Sequence, residues 1–310
     1  MNSFHSSSQN IDSANTSFMF IGKAKGALYK YLGMGYSKNM TLKTRNIIFM
    51  VFFIFSIVFG LFCTAFFIVS AITGHIDTNL DVQRQFTIFS SFVPYHFWGT
   101  VAAISVFTLY SPITMGFIYF GFEKTRSQEI IFFFAFLAAC LLEQLRLFFP
   151  LHGMWKTSSV SLIYFGRIIV MGRTMAFLSP LFLSLFSGSQ HRMDMERNVL
   201  ILVTVSAVVG YFYPLDTTIT TSSFMIKLGY GQMFRVGRFI ILTLAVITLF
   251  VNNYSSEEKG LKESIGFLLL FMGYLILTEC DSYIPACAGT VILITGTILY
   301  LKPLHTRMWS

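Results

Sequence analysis

Seven charged residues stand inside otherwise apolar stretches: Glu143, Arg146, Arg167, Arg173, Arg235, Arg238 and Glu279. A formal charge near a bilayer centre costs roughly 2.5–3.5 kcal/mol on insertion scales, so a chain keeps one there only against other polar groups, water or a ligand. The spacing groups them. Cys140, Glu143 and Arg146 fall at helical intervals of three on one face. Gly166 and Arg173 are seven apart, as are Gly231 and Arg238, and Arg235 precedes Arg238 by three. Five arginines face two glutamates, with Asp281 at the rim. The surplus favours binding of an anion: a carboxylate, a phosphate or a lipid headgroup. The planar guanidinium grips such oxyanions through two parallel hydrogen bonds. The same residues also admit a packing role, with Glu143 neutralising Arg173 or Arg238.

A second constellation lies at the expected outer turns. His96, His152, Asp216 and Cys287 each follow a turn proline by two residues, and all four types can ligate a metal. Polar residues at a water interface explain them more simply, and no metal signature accompanies them, so no metal site is expected. The chain holds no GxSxG, Walker loop, HExxH or dinucleotide fingerprint, so no catalytic residue and no cofactor is expected. Its four cysteines form no CxxC pair. Cys280 and Cys287 flank one outer turn and are expected to form a disulfide.

These residues need elements to carry them, and composition defines the elements. The chain is 55% hydrophobic and only 12% charged, with 36 phenylalanines among 310 residues. Soluble domains run near a quarter charged. An all-α polytopic transmembrane bundle is expected, with about eight spans in four hairpins. The spans read as 47–72, 97–122, 129–149, 160–186, 199–213, 224–251, 264–278 and 284–301. Placing the N-terminus inside puts fourteen Lys and Arg in inner segments and three (Arg84, Lys156, Lys227) in outer ones, as the positive-inside rule requires. The expected setting is the cell (inner) membrane, with both termini cytoplasmic. The formal charge of +8 is then largely a topology signal, and no nucleic-acid partner is expected. Residues 1–45 read as a basic cytoplasmic segment: a Ser/Asn-rich leader, then a stretch fitting either a helix on an anionic leaflet or a solvated arm. Residues 46–301 form the membrane domain and 302–310 a short cytoplasmic tail.

A parallel internal repeat is also legible. FFPL, TSS and G-x5-GR in 148–173 recur as FYPL, TSS and G-x5-GR in 212–238. Functionally, the sequence leads to an Arg-rich cavity open to the outer side, serving most simply a transporter. Its partners would be membrane lipids and a small anionic ligand. A ligand-sensing or assembly subunit, which would need a protein partner, and a lipid-modifying enzyme are the alternatives.

Overall fold

A computed structural model describes residues 42–76, 82–83, 93–123, 127–151, 159–186, 195–254 and 258–309. Eight α-helices dominate it: α1 Leu42–Ile72, α2 Phe97–Gly121, α3 Gln128–Leu142, α4 Ser159–Phe186, α5 Met195–Phe212, α6 Gly231–Tyr254, α7 Glu258–Thr278 and α8 Tyr283–Trp309. Six stretches are long and apolar enough to cross a membrane: those of α1, α2, α4, α6 and α8, and α3 with its 3-10 continuation Glu143–Phe148. This is compatible with a multi-pass membrane protein. The α5 helix is apolar but shorter.

The helix α3 is the axis. Its ring contacts reach four other helices: Phe134 stacks on Phe49 of α1, Phe132 meets Phe182 and Phe186 of α4, Phe136 meets Phe271 and Tyr274 of α7, and Phe133 meets Tyr300 of α8. On the α2 side, Ser111 donates to the Leu137 carbonyl at 2.7 Å. By contrast α1 leaves Val51, Phe55, Val58, Leu61 and Phe62 exposed along most of its length. Such a surface suits hydrocarbon rather than water.

The α7–α8 hairpin is the tightest pairing, and its cause is visible in sequence. Gly266 and Gly273 are seven apart on α7, and Gly289 and Gly296 are seven apart on α8. A Cβ at Gly266 would sit 2.6 Å from the Leu299 carbonyl carbon, and one at Gly273 2.5 Å from the Leu293 nitrogen. Backbones this close exclude any side chain, which is how small residues join membrane helices.

Not everything is helical. Between α5 and α6 the chain forms a hairpin, β2 Leu215–Thr221 and β3 Met225–Leu228, with β1 Val82–Gln83 paired parallel to β2. The hairpin turn Ser222–Ser223–Phe224 is buried, with Phe224 at a positive φ of 52° and its ring tilted against that of Phe97. The hairpin packs against α4, where Gly166 lies tight against Leu215 and Ile226, and its turn is bonded to Thr100 of α2.

Several expectations need correction. The sixth span does not begin at Phe224, because 225–228 pairs with β2, and α6 starts only at Gly231. The first helix begins at Leu42, so 42–45 belong to it. Buried Arg45 donates to the Phe122 and Glu123 carbonyls at 3.1 and 3.0 Å, satisfying acceptors at the end of α2. Through 302–309, the expected tail is helical, as the end of α8. Residues 1–41 lie outside the described residues, and the leader with them.

Among the described residues, the matched glycines of the two repeat copies stand in different surroundings. Gly166 lies well inside α4, tight against Leu215 and Ile226, whereas Gly231 opens α6 and meets only Leu228. Gly172 presses on α3, while an added Cβ at Gly237 would meet nothing within 4 Å.

Candidate functional site

The charged residues divide into two clusters. The first is where α3 tightens into its 3-10 turn. That turn brings Glu143 and Arg146, three apart, onto one side, and Arg146 donates to Glu143 at 3.1 Å. From α4, Arg173 grips the same carboxylate through Nε at 3.0 Å and Nη2 at 3.3 Å. The Tyr274 hydroxyl on α7 lies 3.4 Å from Glu143 Oε1. Arg146 spends its remaining donors on the Ser223 carbonyl in the hairpin turn, with Nε at 2.8 Å and Nη2 also bonded. Arg173 Nη2 reaches the Thr278 carbonyl at 3.2 Å. Thr100 ties the same turn to α2 through the Ser222 carbonyl at 3.1 Å. Glu143 is 1% exposed, Arg146 0% and Arg173 5%. This knot joins α3, α4, α7 and the hairpin.

The second cluster surrounds a cavity of about 420 Å³. Its walls are the end of β3 (Lys227, Leu228), the turn Gly229–Tyr230, the first turns of α6, and Glu279 just past α7. Arg238 is paired with Glu279. Arg173 reaches the cavity from the knot, and Arg235 lines it one turn before Arg238. Arg173, Lys227, Arg235 and Arg238 thus face one lining acid, Glu279. The N-terminus of α6 adds partial positive charge. Exposed Tyr230, Gln232 and Met233 mark the mouth. A volume of a few hundred cubic ångströms suits a small ligand.

No known protein family, curated protein or solved structure matches this chain.

Of the seven sequence-derived site residues, Arg173, Arg235, Arg238 and Glu279 come together at the cavity, while Glu143 and Arg146 lie in the adjoining knot. Arg167 joins neither: its guanidinium stacks over the Tyr211 ring of α5 at 4.6 Å. It is not among the residues that line the cavity. Its position, six residues before Arg173, places it about 120° around α4 from that residue.

The rim metal set does not assemble. Among the described residues no group of three His, Cys, Asp or Glu could hold a metal ion. Asp216 stands opposite Lys227 in the β2–β3 ladder, a charge-complementary pair, and His152 lies outside the described residues. The expected disulfide is also corrected, for Cys280 and Cys287 are both free. Cys280 is buried with Sγ bonded to the Ser282 carbonyl at 3.0 Å, while Cys287 is exposed on α8. Burial pushes the Cys280 thiol up to about 11, which keeps it protonated and unreactive at neutral pH.

Sequence reasoning missed Tyr274, Lys227 and the Ser223 carbonyl. Lys227 had a signal: the β-branched run Thr217–Thr221 announces a strand and hence a hairpin. A backbone carbonyl carries no sequence signal.

Proposed function

We propose that this chain is a polytopic membrane protein that binds a small anion or an anionic headgroup in the cavity between the β2–β3 hairpin, α6 and the end of α7. The observation that carries it is the lining of four cations against one acid. Arg235 and Arg238 would hold the oxyanion, Glu279 would orient Arg238, and Glu143 would fix Arg173 from behind. A carrier remains the activity the sequence favours. It requires the floor to open, and the floor is the Glu143–Arg146–Arg173 knot with its carbonyl partners. That closed floor favours the second reading, a receptor-like or assembly subunit that binds without flux. Catalysis of lipid modification through Glu143 is disfavoured, because two guanidiniums and a tyrosine already occupy its oxygens.

The test is ligand-induced stabilisation of the purified protein by glycerol phosphate. A ligand that binds only the folded state at a hundred times its Kd stabilises by about 2.7 kcal/mol. Arg235→Ala should weaken binding about tenfold to a hundredfold, the loss of one charge-assisted contact, while moving stability without ligand little. No stabilisation by any phosphate or carboxylate anion would sink the proposal. Proteoliposome flux of the bound anion then separates carrier from receptor.

A further inference from the structure

The cationic cavity has an apolar neighbour. A second depression of about 310 Å³ runs between α6 and α7, lined by Val236, Phe239 and Leu275 together with Arg235 and Arg238. The two share both arginines, so Arg235 and Arg238 border the cavity and the apolar depression alike. Val236 is 58% and Phe239 66% exposed, so the groove opens sideways, along the face of α6, rather than at the mouth. That face continues as exposed Ile240, Leu244, Ile247 and Val251 down the helix. A water-soluble anion needs only the cavity. A cationic pocket that continues into an apolar, side-opening groove matches a molecule with an acidic end and a hydrocarbon end.

We infer that the ligand is an anionic amphiphile taken laterally from the bilayer, its phosphate or carboxylate on Arg235 and Arg238 and its chain in the α6–α7 groove. This rests on the anion-binding reading above and names its ligand class. Charge complementarity supplies the headgroup, and the shared arginines join it to the chain path. The groove exists because α6 and α7 are not zipped together by glycines as α7 and α8 are. The glycines of α7 that admit close approach, Gly266 and Gly273, face α8.

The experiment titrates the detergent-solubilised full chain with phosphatidic acid and with glycerol phosphate, reading bound species by native mass spectrometry. Phosphatidic acid should bind at least about tenfold more tightly, since its chain methylenes leave water for the groove. Val236→Trp, which narrows the groove, should lower the ratio of the two affinities about tenfold. Phe239→Ala, which removes its wall, should lower the ratio in the same direction; both positions are exposed, so folding is not at stake. Equal affinities in the parent chain, or a ratio unmoved by both variants, would overturn the amphiphile inference while leaving the anion site standing. Phosphatidylcholine binding as tightly as phosphatidic acid would overturn the headgroup assignment. If neither phosphatidic acid nor glycerol phosphate binds, the anion site itself fails and the inference with it.

Discussion

The knot at Glu143 and the cavity at Arg238 use the same residue types for opposite ends. In the knot, one carboxylate takes two arginines and a tyrosine, and the spare guanidinium donors close on the carbonyls of Ser223 and Thr278. At the cavity, Arg238 has its own acid, but Lys227, Arg235 and the cavity edge of Arg173 crowd around a space of about 420 Å³. Buried arginine is thus structural where fixed acceptors meet its donors, and where several cations border a void it is the group proposed to meet a ligand. Burial differs accordingly: Glu143 is 1% exposed and Glu279 is 21%.

The sharpest way to break the comparison is Glu143→Ala. It strands two buried guanidiniums, so it should destabilise by about 3–5 kcal/mol, read from denaturant unfolding. A loss below about 1 kcal/mol, within the ordinary range for surface sites, would mean the knot holds nothing together. Arg173→Ala should cost less, about 3 kcal/mol at the low end of that range, because Glu143 keeps Arg146 and Tyr274. It should also weaken anion binding, since Arg173 belongs to both regions. Pairing it with Glu143→Ala should not restore full stability, because Arg146 then lacks its partner. Complete rescue would show that Arg146 is satisfied by Ser223 alone. The smallest effect belongs to Lys227→Ala at the cavity rim, where half-buried Lys227 stands opposite Asp216 and a solvent-reachable charge pair contributes about 0.2–1 kcal/mol. Its effect on anion affinity should shrink further at high salt, and a salt-independent loss would place Lys227 in direct contact with the ligand.

Much of the architecture was readable because membrane helices follow from length and apolarity alone. The run from Ile47 to Ile72 had to be helical in hydrocarbon, where every backbone group needs an internal partner. The hairpin at 215–228 escaped because Phe224, Met225 and Ile226 look like the start of an apolar helix. Only pairing with β2 shows that they are a buried turn and strand. The site was half legible. Charges in apolar runs flagged Glu143, Arg146, Arg173, Arg235, Arg238 and Glu279, but the same rule enlisted Arg167, which faces Tyr211 instead. Helical phase separates residues six apart, and phase matters only once the neighbours are known.

The sequence by itself determined that long apolar helices form, that a set of arginines is embedded among them, and that glycines seven apart let two helices touch. These are properties of single residues and of one helix's period. Tertiary structure alone decided which carboxylate each arginine meets, that Ser223 and Thr278 supply carbonyls, and that Arg235 and Arg238 border both a cavity and an apolar groove. Those outcomes depend on residues from α3, α4, α6, α7 and the hairpin arriving within 3–4 Å of one another, and no local pattern encodes a distance between segments a hundred residues apart, as Arg173 and Thr278 are.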